Sequence, residues 1–233
     1  MFFFAITVLF VMASCQQKVA ETNVITNTEN EVAIERLEVA NWELAIRLAA
    51  YGYETESVTA LIEAADIMVS IPTVASDLQK EEPVGVAPTE MKEEKSAITV
   101  DKLLADALEM TDDEALLARI ETIKRRQALL AEMDGTRGAV GGAKVLNDIV
   151  YQEGEQMFFC DFYAHQVACV ALVGDGDSDL DVFVYDQNMN IVTEDTGYDS
   201  DCLCTWTPAW TGRFYIKVVN RGNVYNRFSL ATN

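Results

Sequence analysis

Apolar positions along this 233-residue chain change their spacing once, and the change divides it. In the first part they recur every three or four residues. Thr28-Glu29-Asn30-Glu31 reads as a capping box, and Ala33, Leu37, Ala40, Leu44 and Leu48 then form one helical face that ends near Gly52. A second helix starts at Thr55 or Ser57 and carries Val58, Leu61, Ala65 and Met68. It stops before Pro72, because the residue preceding a proline is pushed out of the α region. The short loop Tyr51–Glu54 makes the two an antiparallel pair. Helical spacing resumes over Thr99–Met110 with Val100, Leu103, Leu104 and Leu108. It continues after a second capping box, Thr111-Asp112-Asp113-Glu114, with Leu116, Leu117, Ile120, Ile123, Leu130 and Met133.

From Gln156 the period becomes two. Predicted strands are Met157–Tyr163, Val167–Val173, Leu180–Asp186, Ile191–Thr193, Cys202–Trp206, Arg213–Val219 and Arg227–Ala231, with turn residues at Gln187–Asn190, Thr196–Tyr198 and Asn220–Asn223. About seven or eight short strands at this spacing predict an antiparallel β-sandwich. The fold class is α + β in separate halves: N-terminal helical hairpins or a bundle, then the sandwich. The organisation reads as a signal peptide over 1–14, a tether over 15–27, a helical hairpin over 28–72, a flexible linker over 73–97, a second hairpin over 98–134, a glycine-rich joint over 135–143 and the β domain over 144–233. The linker reading rests on Pro72, Pro83 and Pro88 in a stretch with no sustained apolar face.

The ends and the charge add a place and exclude partners. Met1 to Met12 is an apolar run too short to span a bilayer and suited to a signal peptide. Ala13 and Ser14 before Cys15 resemble a bacterial lipobox, although no Lys or Arg precedes the run and Met12 stands where that motif prefers Leu. The resemblance implies cleavage before Cys15, a diacylglyceryl thioether on its sulfur, export, and a membrane partner through that lipid. The net charge is −21, with 12 basic and 25 acidic residues over 16–143 and 5 and 13 over 144–233. Neither part offers the Lys and Arg that phosphate contacts need, so nucleic acid is excluded as a partner. Lys124-Arg125-Arg126 reads as a solvated helix face within an acidic domain. Gly135–Gly142 lacks the Lys–Ser/Thr of a phosphate loop. With His165 as the single histidine, placed in a turn, His-based metal and triad chemistry has almost no material.

The β domain holds the candidate chemistry. If Ala164-His165 is a two-residue hairpin turn, Phe162 faces Val167, Cys160 faces Cys169 and Phe158 faces Ala171. That register offers a Cys160–Cys169 disulfide; bridges from Cys160 and Cys169 to Cys202 and Cys204 are as acceptable, and a four-thiolate zinc site is a further alternative. Cys202 and Cys204 share a face, which makes a bond between those two awkward. Asp175, Asp177, Asp179 and Asp181 admit two readings. They are candidate oxygen ligands for Ca²⁺, with Asp199 and Asp201 available if their loop folds back, or they are turn-closing and solvated carboxylates.

Asp179-Leu180-Asp181-Val182-Phe183-Val184-Tyr185, then Trp206-Thr207-Pro208 with Thr211-Gly212-Arg213-Phe214-Tyr215, then Val218-Val219-Asn220-Arg221-Gly222, resemble the ordered motifs of bacterial pre-peptidase C-terminal domains. The resemblance covers the last part of the chain and implies a β-sandwich of the kind appended to secreted hydrolases. No peptidase domain precedes it here, and the paired cysteines are not a family feature. The expected function is a non-enzymatic interaction or stability module of the cell envelope, Ca²⁺-assisted on the first reading of the aspartates. Its candidate contacts to a protein or polysaccharide are Trp210, Tyr198 and Tyr225. The alternative is an accessory factor assisting secretion or folding of an exported hydrolase.

Overall fold

A computed structural model of the chain describes residues 21–25, 34–71, 73–91, 98–134 and 143–233. Residues 1–14, read above as a signal peptide, Cys15, the Thr28–Glu31 capping box and the Gly135–Gly142 stretch lie outside the described residues. Four helices precede a two-sheet antiparallel sandwich, the predicted α + β arrangement.

The helices are α1 (Ile34–Glu54), α2 (Val58–Val69), α3 (Val100–Glu109) and α4 (Glu114–Asp134). Helix α2 begins at Ser57, whose side chain accepts from the Ala60 N–H, and α3 begins at Thr99, whose side chain accepts from the Lys102 N–H. Asp113, rather than Thr111, caps α4: its Oδ1 accepts from the N–H groups of Ala115 and Leu116 at 2.8 and 3.0 Å. Gly52 does not end α1, which continues to Glu54. Here glycine serves close approach, because a Cβ would lie 2.6 Å from Leu61 Cδ2 of α2. Ala49, Leu61, Ile62, Ala65, Leu103, Leu104, Ile120 and Ile123 make one helical core. Arg126 is not merely solvated, since it pairs with Asp66 across the α2–α4 contact.

Residues 73–86, predicted as linker, form three short strands instead: β1 (Thr73–Ala75), β2 (Gln79–Lys80) and β3 (Val84–Val86). The long strands are β4 (Ala143–Val150), β5 (Gln152–Phe162), β6 (Ala168–Gly174), β7 (Leu180–Asp186), β8 (Ile191–Asp195), β9 (Asp201–Trp206), β10 (Gly212–Asn220) and β11 (Asn226–Thr232). One sheet has the order β1-β4-β11-β6-β9; the other is β2-β5-β10-β7-β8, with β3 also on β5. β1 runs parallel to β4, and β2 and β3 run antiparallel to β5. A proline-rich segment can join a sheet without sustained apolar spacing where backbone pairing to an outermost strand holds it.

The predicted β5–β6 hairpin is corrected. β5 pairs with β10 and β6 with β11 and β9, so Tyr163–Val167 crosses from one sheet to the other. Cys160 stands opposite Phe214 and Cys169 opposite Thr205. The apolar positions on which the hairpin rested are buried, but on opposite sides: Phe158 and Phe162 face the sandwich core, whereas Cys169 and Ala171 face α1. The core between the sheets includes Phe158, Phe162, Leu172, Leu180, Val182, Trp206, Phe214, Ile216 and Leu230.

The outer faces of the two sheets differ in side-chain size. The first sheet presents Ala143, Cys169, Ala171, Val173 and Ala231, small enough for a helix to approach, and Val39, Trp42 and Ile46 of α1 bury against them with Ile71. This is the covered sheet. Among the described residues, no helix is long and apolar enough to cross a membrane.

Candidate functional site

The second sheet carries large aromatic residues where the covered sheet carries alanine. Strands β5, β10 and β7 alternate strictly, and Phe158, Phe214, Ile216, Val182 and Val184 point inward. Their neighbours therefore point outward: Phe159, Tyr215 and Tyr185 lie side by side in register, with Met157, Lys217 and Phe183 in the next row. All six are half-buried. The Phe159 and Tyr215 rings lie 5.8 Å apart at 45°. The Arg213 guanidinium sits 5.0 Å from the Phe159 ring, and Lys217 Nζ lies 5.3 Å from Phe183 and 5.6 Å from Tyr185. Asp161 and Glu155 flank these cations at 3.4 and 3.5 Å. The result is an open face of rings bordered by paired charges. None of these residues was read from the sequence as a contact, although period-two alternation through Phe158-Phe159 and Val182–Tyr185 contains the signal.

The two ends of the sandwich are also unlike. At one end lie the connections 163–167, 187–190 and 207–211. The segment Glu21–Ile25, expected to be part of a loose tether, is strapped across this end. Asn23 is fully buried: its N–H donates to Asp186 Oδ2 at 2.8 Å, its Nδ2 donates to the Trp210 carbonyl at 2.9 Å, and its Oδ1 accepts from the Trp210 N–H at 2.9 Å. The Ile25 N–H donates to the Thr207 carbonyl, and Val24 joins the sandwich core. Asp186 also accepts from Asn188 N–H, Asn190 N–H and Asn190 Nδ2. Burial raises the Asp186 pKa, but the hydrogen bonds from Asn23, Asn190 and Asn188 outweigh it and hold the carboxyl below its ordinary range. Trp210, expected as a ligand contact, here serves the strap through its backbone. The strap was missed because polar composition reads as tether while one Asn makes the attachment.

The opposite end collects the aspartates. The 196–200 loop does fold back, and Leu180 N–H donates to the Asp199 carbonyl at 2.9 Å. Within this end the four candidate Ca²⁺ ligands serve different partners. Asp175 accepts from the N–H groups of Asp177 and Arg227, and Asp181 pairs with Arg221 at 2.6 Å. Asp179 Oδ1 is buried without a hydrogen-bond partner, and burial followed by the Asp181 charge raises its pKa. Asp177 meets the turn through its backbone N–H. Asp201 lies 3.2 Å from Arg47 of α1; its pKa is raised by burial against the pull of that guanidinium. Among the described residues no three His, Cys, Asp or Glu side chains are placed to hold a metal ion. Tyr198 is 99% exposed on the same end, whereas Tyr225 is buried and lines an open cavity of about 470 Å³ with Val86, Met91, Gln152 and Val224. The three aromatic residues predicted as contacts are therefore not one surface.

The cysteines lie on different faces. Cys169 is turned to α1, while Cys202 and Cys204 share the inner face, as expected, and Cys160 borders the core from the other sheet. No disulfide joins any of the four. Burial pushes the Cys160 and Cys204 thiols up to about 12 and raises Cys202 as well, so they are protonated and poor nucleophiles at neutral pH. A thiol whose folded-state pKa is raised contributes stability that is complete below its unfolded pKa and lost as pH rises through the folded value. Unfolding free energy should therefore fall between pH 9 and pH 12, and urea titrations across that range check it. His165, with φ +62°, occupies the inter-sheet crossing and donates its backbone N–H to the Pro208 carbonyl at 2.9 Å.

No protein-family model matches the chain, and no curated protein matches it. Among solved structures the chain is similar to the pre-peptidase C-terminal domain of collagenase from Bacillus anthracis, at 8% identity and TM-score 0.32, covering 39% of this chain and 88% of that one. It is also similar to the Yersinia pseudotuberculosis-derived mitogen, at 10% identity and TM-score 0.31 over 40% and 86%. A periplasmic inhibitor of g-type lysozyme from Aeromonas hydrophila matches at 13% identity and TM-score 0.31 over 39% and 84%. Scores this low assign neither ligand nor activity.

Proposed function

We propose that the protein is a non-enzymatic binding module of the cell envelope, exported and held by a lipid on Cys15, whose open sheet face contacts a polysaccharide. The observation that carries this reading is the contrast between the two outer faces: α1 seals the alanine-rich one, while the other displays Phe159, Tyr215 and Tyr185 in one row. Aromatic rings offer flat apolar area that suits the C–H faces of sugar rings, and the paired charges around them supply hydrogen-bonding groups at the rim. The alternation of the strands requires no aromatic residues there for folding, because the core is complete on the inner face. Buried, protonated thiols and a lone turn histidine fit a role in binding rather than turnover.

The test is co-sedimentation with purified peptidoglycan sacculi. The full chain should pellet with them, and Tyr185→Ala/Tyr215→Ala should weaken this by about tenfold while the variant stays folded by circular dichroism at the assay temperature. Equal pelleting of the variant would remove the open face from the contact; no pelleting of the unaltered chain would remove the polysaccharide.

A further inference from the structure

The sandwich is polar along its length in a way that the open face does not use. At the strap end, the connections 163–167, 187–190 and 207–211 contain no Asp or Glu, in a chain with 38 of them; around them Asp77 and Asp161 pair with Lys144 and Arg213, Asp186 is buried, and Glu21 of the strap is exposed. The other end holds Asp175, Asp177, Asp179 and Asp199 in its loops, with Asp181, Asp195 and Asp201 at adjoining strand ends. Large apolar side chains stand out from this strap end: Tyr163 is 68% exposed and Met189 52%. Trp210, in the 207–211 connection of the same end, is half-buried. Arg47 of α1 reaches Asp201 at the acidic end, and Ala49 beyond it belongs to the helical core.

The covalent chain adds a distance. Glu21 lies at the strap end, where its carbonyl accepts from Asn188 Nδ2. Six residues further along than Cys15, it can be no more than about 22 Å from that sulfur's own Cα even with the intervening chain fully extended.

We propose that the strap end is a lipid-facing surface: it rests on the bilayer that holds Cys15, with Tyr163, Met189 and Trp210 at headgroup level. This rests on the reading of Cys15 as the lipid anchor. Interfacial positions favour amphipathic rings, and an anionic leaflet repels the aspartate-rich end, so anchor reach, apolar side chains and charge select one orientation. The strap is the element that transmits it, because Asn23 fixes the chain leaving Cys15 to the end that faces the membrane. The open aromatic face then stands at the side of the molecule, upright from the bilayer.

Hydroxyl-radical footprinting of the full chain on phosphatidylethanolamine–phosphatidylglycerol vesicles tests this, after intact mass has been measured for the diacylglyceryl group. The reference is Cys15→Ser mixed with the same vesicles. On the acylated chain, oxidation of Met189 and Tyr163 should fall several-fold, while Tyr198 at the acidic end and Met91, 53% exposed, keep the reference rate. An acylated chain that floats with vesicles yet oxidises at Met189 and Tyr163 as fast as the reference overturns the orientation and leaves the anchor standing. Absence of the acyl group overturns both.

Discussion

Truncating Phe214 to alanine should lower the unfolding free energy by about 4 kcal/mol, within the range for removing a buried aromatic ring. Phe214 of β10 is fully buried between two rings, Phe162 at 5.8 Å and 84° and Trp206 at 5.4 Å and 45°, which themselves meet at 4.9 Å. Phe162 and Phe214 come from the open sheet and Trp206 from the covered one, so the cavity would open at the junction between sheets, where neither can collapse alone. Urea denaturation should show a lower midpoint at unchanged slope. Phe214→Leu, which refills much of the space, should recover a large part of the loss. A loss below about 1 kcal/mol for the alanine variant would mean that the sheets close over the gap.

Asp186→Ala should cost about 3 kcal/mol, because it leaves the buried Asn23 N–H and the part-buried donors of Asn188 and Asn190 without their acceptor. Asp186→Asn separates the two tasks of this carboxylate. Its Oδ1 position still accepts from the Asn188 and Asn190 amides, while an NH₂ group in the other position would confront the Asn23 N–H. The asparagine variant should therefore keep the β7–β8 turn and release the strap, seen as faster hydrogen exchange at 21–25 with a smaller loss of stability. The pH sign follows from the depressed pKa. Stability from Asp186 is complete above the unfolded carboxylate value of about 3.9 and is lost as pH falls through the lower folded value, a decline that Asp186→Asn should lack.

The helices and most strands were legible because their periodicities are strong; Leu180–Asp186 is found with its predicted bounds. Pairing was not. Phe158, Cys160 and Phe162 alternate as they would in a hairpin with β6, but alternation reports which face a residue takes and says nothing of which strand lies beside it. β1, β2 and β3 were missed because two or three residues held by backbone bonds leave no side-chain period. At the acidic end, spacing showed that the aspartates gather, and the loop carrying Asp199 does fold back; spacing could not show that Arg221 and backbone amides engage several of them. The strap at Asn23 lies beyond periodicity altogether, since its attachment joins residues 163 positions apart.

The lacing of residues 73–86 onto β4 and β5 has a consequence for dividing the chain. β4 and β5 are the outermost long strands of their sheets on that side, and β1, β2 and β3 occupy part of their outward hydrogen-bonding groups. A fragment beginning at residue 144 would start inside β4, bare both edges, and uncover the alanine-rich face that α1 seals. Such edges template pairing with other molecules, so the isolated β domain should be prone to self-association in proportion to its concentration. Sequence order suggests two halves joined by a hinge. In terms of aggregation they are one unit, because the early segment of the chain is what keeps the late one solitary.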